Sequence, residues 1–202
     1  MPKKESMSIV QDQTTQAKQP TDPEPRPYPS QYVSWWTMKD GTEVRVRPIR
    51  PEDEPLMVKF HGTLSDRTVY LRYFSSLSLD RRTAHERLLR ICHGGYNREL
   101  VLVAELDDPQ KGQSHILGVG RLNKLSRAEA EIAILISDEY QRRGLGTELL
   151  RQLIQVARDQ SLCRIVAEML RDNLAIQIIF KRLGFRLRLL RDPSSVQAVL
   201  DL

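Results

Sequence analysis

The stretch Glu129-Ala-Glu-Ile-Ala-Ile-Leu-Ile-Ser-Asp-Glu-Tyr-Gln-Arg-Arg-Gly-Leu-Gly-Thr-Glu-Leu-Leu-Arg151 changes its period half way along. Ile132, Ile134 and Ile136 alternate with Glu129, Glu131, Ala133 and Leu135, the period of two expected of a strand. From Leu145 onward, Leu149, Leu153 and Val156 form a helical stripe widened by Leu150, Ile154 and Ala157, and Thr147, Glu148, Arg151, Gln155 and Arg158 take the other face. Between them lies Gln141-Arg-Arg-Gly-Leu-Gly146. A strand, a glycine-bearing turn and a helix start make an anion site, because the first helical N–H groups lack partners and the helix dipole favours negative charge there. Gly144 and Gly146 let backbone approach a bulky pyrophosphate, and Arg142 and Arg143 add charge. A G-x-G alone also describes an ordinary turn. The third glycine of a dinucleotide fingerprint and the Gly-Lys-Ser/Thr of a P-loop are both missing.

With its strand before and helix after, Gln141-Arg142-Arg143-Gly144-Leu145-Gly146 resembles the Q/R-x-x-G-x-G/A signature of the GNAT N-acetyltransferase family. The resemblance implies that the backbone of residues 141–147 (Gln141, Arg142, Arg143, Gly144, Leu145, Gly146 and Thr147) holds the pyrophosphate of acetyl-CoA. It also implies that the strand edge at Leu135 and Ile136 holds the pantetheine arm. Asn173 to Phe185 is similar to the family's Asn-x-x-x, aromatic, x-x-x-Gly-Phe pattern, which makes Asn173 a further cofactor contact, with a helix N-cap as the equal alternative.

Working outward, Asp40-Gly41 reads as a turn and Glu43 to Pro48 as a first strand. A helix capped near Asp53 should place Leu56, Phe60 and Leu64 on one face. Ser65 reads as the N-cap of a short helix through Tyr70 and Tyr73. One helix is expected from Leu79 to Ile91, ended by Gly94-Gly95 in a left-handed cap. Strands follow at Glu99 to Glu105 and His115 to Arg121, joined by a turn at Asp107 to Gln113. Beyond the central segment come a strand at Arg164 to Leu170, a helix at Leu174 to Leu183 with Ile176, Ile179, Phe180 and Leu183 on its core face, and strands near Phe185 to Leu190 and Val196 to Leu200. This order resembles the family's α/β fold across residues 43 to 202: a mixed, mostly antiparallel central sheet with helices on both faces.

A narrower resemblance is carried by Asp40-Gly-Thr-Glu, Arg47-Pro-Ile-Arg-Pro-Glu-Asp-Glu-Pro55, Ser65-Asp-Arg-Thr-Val-Tyr-Leu-Arg-Tyr-Phe74 and Ala130-Glu-Ile-Ala133. These are similar to the acetyltransferase domain of bacterial Pat-type protein lysine acetyltransferases. That implies a protein substrate bearing an acceptor lysine, such as acetyl-CoA synthetase or a related acyl-CoA ligase. The large ligase-like or nucleotide-sensing domain that many of those enzymes carry ahead of the catalytic one has no counterpart in these 202 residues.

The front of the chain reads differently. Residues 1–32 lack apolar periodicity and carry Pro20, Pro23, Pro25, Pro27 and Pro29, a composition expected of an extended, disordered tail, with one acetyltransferase domain at 33–202. No apolar run signals secretion or a membrane span, so a cytoplasmic protein is expected. Cys92 and Cys163 form no metal or disulfide pattern, and His61, His85, His93 and His115 show no ligand spacing, so no metal is expected. Charges in 1–32 cancel, so the +5 excess belongs to the rest of the chain. From residue 139 on, eleven Lys or Arg stand against seven Asp or Glu, a solvated surface or a basic rim for a polyanionic cofactor. Nucleic-acid binding is not expected, because no basic run interleaves with aromatics.

A lysine amine, with a pKa of about 10.4, must lose a proton before it attacks a thioester. Glu131 is the candidate base, on strand parity and on its match to the family's catalytic glutamate; Glu129 shares its face, and Glu168 on the next strand is the reserve base or an orienting carboxylate. Backbone N–H groups near Ile132 to Leu135 are expected to meet the oxyanion where the strand splays from its neighbour. Where the family often carries a tyrosine that protonates the leaving thiolate, this chain has Phe180. Tyr140 is an alternative donor, or packing. Two other functions fit the sequence: acetylation of a small amine or a protein N-terminus, and a catalytically weak acyl-CoA-binding sensor.

Overall fold

Burial is nearly continuous along the middle strands, through residues 100–105 and 116–120, because apolar layers cover both faces of a single sheet. The computed structural model describes residues 27–108 and 112–202. Of the tail expected at 1–32, residues 1–26 lie outside the described residues, as does the tip of the expected turn after Asp107. The strands are β1 (Ser34–Thr37), β2 (Glu43–Pro48), β3 (Glu99–Asp108), β4 (Gln113–Lys124), β5 (Glu129–Ile136), β6 (Arg164–Leu170), β7 (Arg186–Leu189) and β8 (Ser195–Asp201), ordered 1-2-3-4-5-6-8-7. All neighbours run antiparallel except β5 and β6. The helices are α1 (Glu54–Gly62), α2 (Asp66–Tyr73), α3 (Leu79–Thr83), α4 (His85–His93), α5 (Leu145–Asp159) and α6 (Leu174–Arg182).

One face of the sheet, through Val46, Leu102, Leu122, Ile132 and Ala167, packs under Leu149, Leu153 and Val156 of α5 and Phe180 of α6. The other, through Val101, Val103, Val119 and Leu135, receives Met57 and Phe60 of α1, Val69 of α2, and Leu88 and Cys92 of α4. Parity explains the split. Even-numbered residues of β5 face α5, and odd-numbered ones, Glu131 and Leu135 among them, face the α1–α2–α4 layer.

Several expectations need correction. The strand expected as the first, Glu43 to Pro48, is preceded by β1, in which Trp35 and Trp36 pair with Arg45 and Val44 of β2. Contact with the body begins before residue 33: the Tyr28 hydroxyl donates to Pro48 O at 3.1 Å and its ring meets Tyr96 edge-on. The helix expected at 79–91 is two, broken at Ala84, whose ψ of 128° is extended. Arg82, only 5% exposed, turns its guanidinium inward to donate to the carbonyls of Leu77 and His61, which ties α3 to α1. Gly94 is not left-handed (φ −55°); it is close to its surroundings, since a Cβ there would meet Arg90 O at 2.8 Å.

Candidate active site

The parallel pair β5–β6 holds register only from Glu129↔Arg164 to Glu131↔Val166. Beyond Glu131 the strands part: β5 remains paired with β4 as far as Ile136, and β6 with β8 as far as Leu170. A wedge opens between them, and the β5 edge from Ile132 onward presents backbone groups to it with no strand beside them. Helix α2 lies across this opening, touching both strands. The resulting cleft, of about 550 Å³, is within the range of small-ligand sites.

At the far end of the wedge stands the start of α5. Gly144 has φ +95°, a left-handed conformation that an L side chain resists, and a Cβ there would meet the Trp36 ring at 3.2 Å. The first helical bond runs from Glu148 N–H to Gly144 O at 3.1 Å, so the preceding N–H groups point out of the helix end. Arg142 is left-handed too, at φ +62°. Gly144→Ala is expected to destabilise the fold by about 1–2 kcal/mol, measured by denaturant unfolding; an unchanged midpoint would show that the turn relaxes freely.

The turn is tied to α2. Asp138 accepts from Ser65 N (2.9 Å), Ser65 Oγ (2.7 Å) and Thr68 Oγ1 (2.9 Å). Gln141 Nε2 donates to Thr68 Oγ1 at 3.1 Å and to Ile136 O at 3.2 Å. Partial burial opposes ionisation of Asp138, yet the hydrogen bonds from Ser65 and Thr68 outweigh it and hold its pKa below the usual carboxylate value. Ser65 also caps α2 as expected, accepting from Thr68 N.

Of the residues singled out in the sequence, the cleft gathers Glu131, Glu168, Leu135, Ile136, Gln141, Arg142, Gly144, Gly146, Thr147 and Asn173 along its walls. Glu131 is half-buried where the strands separate; Glu168 is exposed on β6. Asn173 Oδ1 accepts from Ile176 N at 3.5 Å, the N-cap alternative. Two residues of the turn direct their side chains elsewhere. Leu145 is buried in the core beneath α5. Arg143 pairs with Asp40 at 2.8 Å and lies over the Tyr140 ring. Phe180 lines the cleft and packs edge-on against Phe185 at 4.8 Å. Tyr140, the alternative proton donor, lines a different cavity with Lys59, His115 and Glu139.

The basic excess late in the chain is only partly a rim. Arg164 and Arg186 are taken up by Asp201 and Arg188 by Gln197, whereas Arg142 and Arg182 face the cleft. Lys39, Thr68, Leu71, Arg72 and Phe74 also line it and were not legible as site residues. Only the spacing of Thr68, Leu71 and Arg72, one face of a short helix, was there to be read. Among the described residues no cluster of three His, Cys, Asp or Glu is placed to hold a metal, and no helix is long and apolar enough to cross a membrane.

The chain is 27% identical over 165 residues to Acetyltransferase PA5475 of Pseudomonas aeruginosa, an overlap of 81% of this chain and 85% of that protein. It is 27% identical over 147 residues to Acetyltransferase Pat of Mycolicibacterium smegmatis, covering 73% of this chain but only 42% of that longer protein. In structure it is similar to the GNAT domain of S. lividans PAT, with a TM-score of 0.78 at 26% identity over 87% of this chain and 100% of that one. The wedge between β5 and β6, the glycine turn at its end and the shared architecture thus agree with the sequence model described as Acetyltransferase (GNAT) domain, which matches residues 43–186, and the chain belongs to that family of acetyltransferases.

Proposed function

We propose that the chain transfers acetyl from acetyl-CoA to a lysine amine of a protein substrate, with Glu131 as general base. The observation that carries this reading is the parting of β5 from β6 just after Glu131. It leaves one cleft with a carboxylate at its apex and an anion-binding helix start at its mouth. From Glu131 to Ile136 the strand covers about 16 Å, room for an extended pantetheine arm along the unpaired edge. The pyrophosphate then meets the N–H groups of residues 144–147, with Arg142 and Arg182 supplying charge.

In this reading Glu131 takes a proton from the lysine ammonium, and the freed amine attacks the thioester carbon. The new N–C bond forms as the C–S bond breaks, and N–H groups of the β5 edge donate to the carbonyl oxygen as its charge grows. The nitrogen, positively charged once bonded to carbon, gives its second proton to solvent water, and the leaving thiolate, with an ordinary thiol pKa of about 8.5, takes its proton from water, since Phe180 has no hydroxyl to offer. The Pat resemblance makes a ligase of the acetyl-CoA synthetase kind the first substrate to try.

The test is incubation with acetyl-CoA and purified acetyl-CoA synthetase, with acetyl-lysine mapped by mass spectrometry. Transfer to a defined lysine supports the reading. Transfer to spermidine or another small amine, with none to protein, would replace it by a small-amine enzyme, and acetyl-CoA binding without any transfer by a sensor. The cofactor end is tested separately. A Cβ on Gly146 would lie 3.0 Å from Ile134 Cδ1 and 3.6 Å from Ile136 Cγ1, against the wedge wall. Gly146→Glu is therefore expected to weaken acetyl-CoA binding at least about tenfold by calorimetry, through bulk and negative charge. Normal affinity would remove the turn from the cofactor site.

A further inference from the structure

Arg72 lies in the cleft wall beside Glu131 without an acidic partner. Its contact among the described residues is the Tyr73 ring, 5.3 Å from the guanidinium carbon, and no carboxylate pairs with it. Around it the charges do not balance. Arg87 lies over the same ring at 5.3 Å with its Nε buried and lacking an acceptor. Arg121 is nearby but engaged by Glu99. Three guanidinium groups therefore face two carboxylates, Glu99 and Glu131. Burial of the Arg72 guanidinium, together with repulsion from Arg121 and Arg87, lowers its pKa against the opposing pull of Tyr73 and Glu131. Arg72 is half-buried, so its charge is partly desolvated with no carboxylate paired to it, and a ligand that supplies the missing anion offsets that cost.

The position says which ligand. Thr68, in the first turn of α2, is bonded to Gln141 of the glycine turn. Arg72 is one helical turn farther on, about 6 Å along the axis, on the same face and toward Glu131. It therefore stands at the apex of the wedge, away from the turn that takes the phosphates and beside the carboxylate that takes the proton. We propose that Arg72 is a specificity-determining residue that binds a carboxylate on the acceptor, close to the amine to be acetylated. In a protein substrate this is an Asp or Glu neighbouring the target lysine. The inference rests on the acetyl-transfer reading above and extends it to the acceptor.

Two matched acceptor pairs test it. L-Lysine and cadaverine share the amine and differ in a carboxylate, and two lysine peptides differ only in Glu or Gln beside the lysine. With acetyl-CoA saturating, the carboxylate member of a pair is expected to show a KM roughly ten- to a hundredfold lower than its neutral partner. Arg72→Gln should close that gap, raising KM for the carboxylate acceptors far more than for the neutral ones, and Arg72→Lys should restore part of it, as a point charge without the planar fork. Equal KM values in the wild type, or a gap that survives Arg72→Gln, overturn the proposal. So does a uniform fall in kcat for all four acceptors, which would place the guanidinium on the thioester oxygen instead. If no acceptor turns over, the same comparison is read as binding of the four compounds by calorimetry with CoA present. A carboxylate preference confined to the small amines, with no peptide bound or acetylated, would keep Arg72 in this role and refute the protein-lysine reading.

Discussion

Glu131→Gln is expected to bind acetyl-CoA with near-native affinity and to lose about 10²- to 10⁴-fold in turnover at neutral pH. The substitution keeps the size of the side chain and removes only its ability to take a proton, so β5 and its register with Asn123 should survive. The defect should shrink as pH rises toward the lysine pKa of about 10.4, because solvent then does what the carboxylate did. Glu168→Gln is the matched control. Glu168 sits on β6 opposite Gln197, past the last β5–β6 pair and exposed, where it is better placed to orient an acceptor than to hold a desolvated proton. Steady-state kinetics of both variants, with calorimetry for acetyl-CoA, separate the roles. An unchanged Glu131→Gln rate across pH would move base catalysis to Glu168 or to water.

Why the places of Glu131 and of the turn in the cleft were readable, and that of Arg72 was not, follows from how each is specified. Glu131 and Gly144 sit inside one continuous run whose period switches from two to 3.6, so local spacing locates both the strand face and the helix start. The α5 stripe came out buried from Leu145 to Ala157 for the same reason. Arg72 is in a helix of eight residues with low mean hydropathy, and its neighbours Glu131, Arg121 and Arg87 come from three other elements. No local pattern brings those together. The break at Ala84 was hidden likewise. The residues 79–91 carry no Pro or Gly, and the inward contact of Arg82 at this point is to His61, 21 positions away. β1 has no sequence signal of its own, since four residues with Trp35 exposed and Trp36 half-buried are too short a run to show a period of two. Arg143 lies at the turn as expected, but its side chain pairs with Asp40, 103 positions earlier, which no local pattern announces.

Arg47→Ala is expected to destabilise the fold by about 3–5 kcal/mol, again for a reason no local pattern contains. Arg47 is 2% exposed, and all five of its donors are engaged. Nε donates to Glu105 at 2.8 Å; Nη1 to Asp53 at 2.7 Å and Pro48 O at 3.2 Å; Nη2 to Asp53 at 2.8 Å and Glu105 at 3.1 Å. Glu105 lies where the β3–β4 register shifts, and it also takes Arg45 at 2.6 Å. Asp53, at the start of α1, is held by Arg50 N at 2.7 Å as well, so it fixes the helix start by accepting from the preceding strand end instead of capping the helix itself. Removing the guanidinium takes from two buried carboxylates a shared cationic partner, leaving Glu105 to Arg45 and Asp53 to Arg50 N, which is why the cost exceeds that of a surface pair. Arg47→Lys, with three donors in place of a planar five, should cost less but not nothing. The same network carries a pH signature. Burial would raise the Glu105 pKa, but the bonds from Arg47 and Arg45 pull it from the ordinary 4.5 to about 2. Because the folded carboxyl holds its proton less tightly than the unfolded one, the stabilisation is complete above about 4.5 and is lost as pH falls toward about 2. Denaturant unfolding of wild type and Glu105→Gln across that window should therefore show two stabilities that differ at neutral pH and converge in acid. Parallel curves would mean that the carboxylate is not held by its arginines in the folded state.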